Sequence, residues 1–245
     1  NYFASEIDKY AIQVTQKNYP NTKQIGDVTK IKYSANHKID LMYGGSPCQS
    51  FSIAGNGSGF DGKSKLFWEF VRVLKEVNPT YFLLENVIMK KEWEQVITDA
   101  LGVNPIEIVS DKFVPQKRRR LYWTNIPNIV QPKQVDYNVN DFFEGNGFPS
   151  SCDIKRNFKK KKVFNTLTAT YYKGIRGSSR PAVSVKEGFL DDDRDAHRML
   201  TPNECEALQT VPKNYTDCVS KTQRYKMLGN GWTVDVIAHI FKNII

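Results

Sequence analysis

The chain has 245 residues, 40% of them hydrophobic, enough for a full core in one large domain or one domain and a smaller module. A formal net charge of +9 favours an anionic partner, nucleic acid first, and no apolar stretch approaches the roughly eighteen residues of a membrane span. Cys48, Cys152, Cys205 and Cys218 lack paired metal-ligand spacing, which fits a reduced intracellular protein.

The chain begins with Asn1 rather than Met, and Tyr2-Phe3-Ala4 reads as the tail of a strand, so the expectation is a piece of a longer protein. Ile7, Tyr10, Ala11 and Val14 follow helical spacing, with Ser5 as the cap and Asp8 three residues on. The run from Ile39 to Gly45 predicts a strand over 38–43, and it leads directly into Pro47-Cys48-Gln49. Residues 50–64 hold Gly55, Gly57, Gly59 and Gly62 among small polar residues, which suits either a loop that closes over a partner or a plain exposed connection. Leu66, Phe70, Val73, Leu74 and Val77 trace one helix face that ends before Asn78-Pro79.

Tyr81 to Leu84 reads as a short buried strand running into Glu85-Asn86-Val87. A helix over 92–101 and strands over 106–109 and 120–124 follow. The alternation predicts an α/β fold with a doubly wound, mostly parallel sheet. Past Pro127 the texture changes to Asn, Gly, Pro and Lys, and a second, smaller module is expected there. It carries the basic residues Lys155, Arg156, Lys159, Lys160, Lys161 and Lys162, then Lys173, Arg176 and Arg180; such a run is either a solvated face or a nucleic-acid contact. Thr201-Pro202-Asn203-Glu204 restarts regular structure as a capping box. Val234, Ile237, Ala238, Phe241 and Ile244 predict a final amphipathic helix.

In open α/β sheets the ligand crevice lies outside the carboxyl ends of the strands, where Cys48 and Glu85 both fall. Taken singly, a cysteine is usually a small buried hydrophobe, and a glutamate after a strand is usually solvated or capping a helix. As a thiol and a carboxylate on neighbouring strand ends, they define one candidate catalytic pair.

The blocks Gly45-Ser46-Pro47-Cys48-Gln49-Ser50-Phe51-Ser52, Glu85-Asn86-Val87, Gln116-Lys117-Arg118-Arg119-Arg120, Thr166-Leu167, Arg198 to Cys205, and Leu228-Gly229-Asn230-Gly231-Trp232 occur in this order. By these blocks, across nearly its whole length, the chain resembles the cytosine-5 DNA methyltransferases. It looks closest to their de novo-type branch and its phage and bacterial relatives.

The resemblance implies the Rossmann-like fold of S-adenosylmethionine-dependent methyltransferases. A catalytic and cofactor unit would span 1–127, a small target-recognition domain 128–197, and a returning segment 198–245. It implies methylation of carbon 5 of cytosine in double-stranded DNA, with base flipping and a covalent adduct on Cys48, as in restriction-modification systems. Glu85 would act on ring nitrogen 3, Arg120 would contact the cytosine carbonyl, and Arg118 would organise the site. For S-adenosyl-L-methionine, Glu6 would bind the ribose, Ile7 the adenine face, and Asp27 and Val28 the adenine edge, with Leu66, Asn230 and Trp232 completing the pocket. Gln49, Ser50, Thr166, Lys173, Arg176 and Arg180 would meet DNA, Lys173 at phosphate and Arg176 or Arg180 at a guanine edge. No metal site and no membrane contact are expected, and the setting is the cytoplasm of a prokaryote or a phage host.

The chain departs from the family in lacking its first block, a Phe-x-Gly-x-Gly turn after a first strand. The expectation is weak cofactor binding by this polypeptide unless an upstream segment or a partner chain supplies that turn. Two other functions stand beside the first: an RNA cytosine-5 methyltransferase with the same chemistry, and a catalytically impaired DNA-binding or regulatory homologue.

Overall fold

The computed structural model describes residues 1–33, 38–47, 65–145, 147–152, 158–175, 180–185 and 196–244. Cys48, Gln49, Ser50, the remaining glycine-bearing stretch to residue 64, Lys155, Arg156 and Arg176 lie outside the described residues.

In chain order the first unit contains β1 (Phe3–Ala4), α1 (Lys9–Asn18), β2 (Lys23–Gln24), β3 (Leu41–Gly45), α2 (Leu66–Val77), β4 (Tyr81–Val87), α3 (Lys91–Leu101), β5 (Ile106–Val109), β6 (Gln116–Lys117) and β7 (Arg119–Thr124). Then come β8 (Phe148–Cys152), β9 (Phe158–Lys160), β10 (Phe164–Asn165), β11 (Pro181–Ser184), β12 (His197–Arg198), α4 (Pro202–Leu208), α5 (Lys221–Asn230) and α6 (Val234–Phe241).

The central sheet has the order β3-β4-β7-β5. β3 and β4 are parallel, while β7 is antiparallel to both β4 and β5, so β3, β4 and β5 run one way and β7 returns between them. A short connection through β6 permits that reversal, whereas the parallel neighbours β3 and β4 need the long crossover through α2. Successive strand residues face opposite sides, and the core follows that rule. Leu84, Leu121 and Trp123 pack with Phe67 and Phe70 of α2 and Ile97 of α3, while Leu83 and Tyr122 pack with Val236, Ile237 and Ile240 of α6. The result is three layers, helix on sheet on helix. Leu83 and Leu84 are both fully buried, each contributing on the order of 2 kcal/mol.

The α/β sheet expected from sequence is present, with β3, β4 and β5 parallel in direction and β7 the antiparallel exception, and several boundaries shift. β3 starts at Leu41 rather than residue 38, and β4 continues past Leu84 to Val87, so Glu85 and Asn86 belong to the strand itself. They sit in register with Tyr122 and Leu121 of β7, which extends the ladder beyond the apolar run. The first helix begins at Lys9, and its cap is Asp8, whose side chain accepts the Tyr10 N–H (2.9 Å). Ser5 does not cap it, because its hydroxyl donates to the Gly26 carbonyl (2.7 Å). Ile7 therefore precedes the helix, three-quarters exposed.

A second sheet, order β12-β11-β8-β9, is antiparallel throughout. Its core joins Phe164, Leu167, Tyr171 and Val183 to Leu200, Cys205, Leu208, Tyr225 and Leu228. Residues 128–137 stay on the first unit: Val135 N–H donates to Lys112 O (2.8 Å), the Tyr137 hydroxyl to Asp111 O (2.9 Å), and Gln131 Nε2 to Glu107 O (2.9 Å). The expected capping box is formed, Thr201 and Glu204 each bonding the other's backbone.

Candidate active site

β3 and β4 end side by side, with Gly45 the Cα partner of Glu85. One residue beyond Gly45, Ser46 Oγ accepts the Asn86 side-chain amide (2.8 Å), so the segment leading to Cys48 is tied to the strand that bears Glu85.

Glu85 is nearly buried, and a buried carboxylate persists only with partners. It has two. Arg120 Nε lies 2.7 Å from Oε1, and Trp232 Nε1 donates to Oε2 at 3.1 Å. Arg120 reaches it from the antiparallel neighbour β7, and Trp232 from the turn between α5 and α6. Gly45 leaves the space: a Cβ there would lie 3.2 Å from Glu85 Oε2 and 3.5 Å from Trp232 Nε1. The cluster can hold an acidic group at a fixed orientation beside a second, rigid cation.

Arg118 points elsewhere. It is almost fully buried, and its guanidinium donates to Leu167 O (3.0 Å), Gly229 O (3.3 Å) and Gly231 O (2.7 Å). Gln116, fully buried, works alongside it, donating to Leu208 O (2.9 Å) and accepting from Leu167 N (2.9 Å). Together they fasten the segment at Leu167 and the turn before Trp232 to β6 and β7. That is an organising place for Arg118, and no bond joins it to Glu85 among its described contacts.

Glu6 and Ile7 follow β1, and Asp27 and Val28 follow its parallel partner β2, so the sheet brings the four together. Glu6 Oε1 accepts the Ile7 and Asp8 N–H groups (2.7 and 2.8 Å). Asp27 Oδ1 accepts the Thr29 backbone N–H and hydroxyl (both 2.9 Å), bonds that hold its carboxyl below the ordinary carboxylate range, the backbone bond foremost. Leu66 opens α2, which is tied to the same loop by Arg72 donating to Val28 O (2.8 Å) and Ile31 O (3.0 Å). Trp232 stands apart at Glu85, linked back through Tyr43, whose ring centroid is 5.8 Å away, to Tyr2. Asn230 is exposed at the end of α5.

The family described as C-5 cytosine-specific DNA methylase matches residues 1–102 and 127–245. The chain belongs to that family. The type II methyltransferase M1.ScrFI of Lactococcus lactis subsp. cremoris is 31% identical to this methylase over 288 residues, covering 99% of this chain and 71% of its own length. M.MspI of a Moraxella species is 26% identical over 277 residues, covering 99% of this chain and 64% of its own. The methyltransferase EhMeth of Entamoeba histolytica shares the fold, with a TM-score of 0.74 at 19% identity over 100% of this chain and 90% of its own. The family's reaction is S-adenosylmethionine-dependent methylation of carbon 5 of cytosine in DNA.

The methylase's first loops suit the adenosine half of that cofactor. Two carboxylates, Glu6 and Asp27, lie beside Ile7 and Ile25, large apolar side chains left 75% and 46% exposed. An aromatic base with ribose hydroxyls would cover that surface and bond those oxygens. The sequence's one Phe-x-Gly-x-Gly run, Phe143-Glu144-Gly145-Asn146-Gly147, lies between β7 and β8 with Phe143 in the core of the second sheet, so it is not the turn for the methionine half.

Of the residues expected at DNA, Thr166 donates to Lys117 O (2.6 Å) and serves the junction between modules. Arg180 donates to Gly174 O (2.6 Å) and Thr170 Oγ1 (3.3 Å), closing its own loop, while Lys173 is exposed on that loop. Sequence reasoning missed the Trp232–Glu85 bond and the Asn86–Ser46 tie, because both join positions remote in sequence. Two polar residues inside the block Glu85-Asn86-Val87, on a strand otherwise buried, were the available signal.

Proposed function

We propose that this chain performs its family's reaction with Cys48 as nucleophile, Glu85 as acid and Arg120 as the cation beside the flipped cytosine. Carbon 5 of cytosine is a weak nucleophile. Addition of the Cys48 thiolate to carbon 6 makes carbon 5 enamine-like, and negative charge gathers at ring nitrogen 3 and the carbonyl oxygen. Glu85, protonated for this step, donates its proton at nitrogen 3, and Arg120 stabilises the carbonyl oxygen. S-adenosylmethionine supplies the electrophilic methyl group when bound. Loss of the carbon 5 proton to water, with the nitrogen 3 proton returning to Glu85, then expels the thiolate and restores the ring. Arg118 acts from a distance, by fixing the turn that carries Trp232.

The observation that carries this reading is the end-to-end register of β3 with β4, which sets the approach to Cys48 next to Glu85 already paired with Arg120. Glu6, Ile7, Asp27, Val28 and Leu66 are proposed to hold adenosine, and Lys173 with Arg176 and Arg180 to meet duplex DNA. With DNA as substrate and S-adenosylmethionine as donor, its work is intracellular.

The test is trapping. Duplex DNA containing 5-fluorocytosine should give a covalent complex with the parent chain in the presence of S-adenosylmethionine, and none with Cys48→Ala. Preferential capture of transfer RNA in direct competition would move the substrate to RNA. A non-covalent complex alone would leave a DNA-binding homologue.

A further inference from the structure

Trp232 was placed by resemblance in the cofactor pocket, yet its indole N–H is spent on the acid. We infer that Trp232 is a positioning residue for Glu85, orienting the catalytic carboxyl group through its indole N–H. The inference rests on the reaction proposed above.

The geometry is specific. Oε1 of Glu85 belongs to Arg120 (2.7 Å) and Oε2 to the indole (3.1 Å), so the two donors fix both the χ rotation of the side chain and the plane of the carboxyl group. Removing either donor frees a rotor. The indole itself is fixed from three directions. Tyr43 lies 5.8 Å from it centroid to centroid, and Phe241 backs Tyr43 at 5.6 Å. Arg118 holds the carbonyl of Gly231, the residue immediately before Trp232, at 2.7 Å. Thr233, the residue immediately after, is buried and donates its hydroxyl to Gln209 Oε1 at 2.9 Å. Gly45 supplies a fourth element, because only a residue without Cβ leaves that contact uncrowded. A bond held by a tilted ring contact, anchors on the residues before and after the indole, and a glycine gap is built to orient rather than to fill space.

The indole is partly exposed while its N–H serves Glu85. Each carboxyl oxygen can take part in more than one hydrogen bond, so nitrogen 3 of an incoming base can meet Oε2 with both donors still in place.

Three variants test it. Trp232→Phe keeps the ring and drops the N–H. Measured on the whole chain at saturating S-adenosylmethionine, it should lower kcat about tenfold, the loss of one hydrogen bond to a charged group, with a smaller change in the KM for cofactor. Combined with Glu85→Gln, it should add little further loss. A Trp232→Phe effect confined to cofactor KM, with kcat recovered at saturation, overturns the proposal. Independently of turnover, the indole N–H proton resonance absent from Trp232→Phe should move in Glu85→Gln; an unmoved resonance also overturns it. A chain that makes no 5-methylcytosine while that resonance follows Glu85 supports the contact and sinks the proposed function, so the two failures are distinguishable. Gly45→Ala, which leaves every donor in place, should reproduce the kcat loss by crowding Oε2.

Discussion

Arg118→Met separates a brace from a base contact. The side chain is 3% exposed and donates to Leu167 O, Gly229 O and Gly231 O, the longest of these bonds at 3.3 Å. Charge-assisted bonds contribute about 1.5 kcal/mol each at the low end of their range. Methionine fills most of the same volume and removes the cost of burying a guanidinium, which offsets part of the loss. The net expectation is a destabilisation of about 3 kcal/mol. For a chain of this length each kcal/mol moves the midpoint by about 2–4 °C, so Tm should fall by roughly 10 °C. Thermal and urea unfolding of parent and variant, followed by circular dichroism, read this directly, with an unchanged urea slope expected. Arg118→Lys should fall between the two, because one ammonium cannot span three carbonyls. An Arg118→Met protein with a parental Tm and no methyl transfer would refute the brace and put the guanidinium at the base.

Arg120→Met leaves the nearly buried Glu85 carboxylate without its cation and should likewise cost about 3 kcal/mol of stability, while transferring methyl groups at least about a hundredfold more slowly in single-turnover assays. Gly229→Ala should prevent the recognition turn from seating, since its Cβ would fall 2.2 Å from the Thr168 carbonyl; loss of more than about 3 kcal/mol in urea unfolding is expected, and a neutral result would contradict the packing. Glu206→Gln removes a fully buried carboxylate that accepts from Asn214 N, Thr216 N and Arg224, and should cost about 3 kcal/mol by the same measurement. Asp27 has a lowered pKa, so its cap on the loop is present above the ordinary carboxylate range and is lost only as pH falls through the depressed value. A side-chain carboxyl resonance of Asp27 that titrates at or above 3.8, the unperturbed value, would contradict this.

Much of the scaffold was legible because its signals are local. The apolar face of Leu66, Phe70 and Val73 became α2, and the run ending at Leu84 became the middle of β4. The capping box at Thr201 needed only adjacent residues. The first helix was misjudged at its start because Ser5 and Asp8 are both competent caps, and the choice was made by Gly26, a residue on another strand's loop. The end of β4 was cut short for the opposite reason. Glu85 and Asn86 look like loop residues until the neighbouring β7 supplies the partners that let them stay in a ladder. The site divided likewise. The identity of Glu85 and Arg120 could be read from the residues and their resemblance, but the commitment of Arg118 to carbonyls and of Trp232 to a carboxylate depended on tertiary neighbours.

The junction between the two sheets has its own consequence for how specificity can change. On the recognition side, Leu167 presents its backbone N–H to Gln116 and its carbonyl to Arg118, and neither bond consults the side chain. The parallel bridge of Phe164 and Asn165 with Gln116 and Lys117 is likewise a peptide-to-peptide link. A mounting of this kind leaves the exposed side chains beyond it unconstrained, while Phe164 and Leu167 themselves stay fixed by the core. Side chains on the exposed loop beyond Leu167, Lys173 among them, can therefore change without loosening the grip of Gln116 and Arg118 on the peptide.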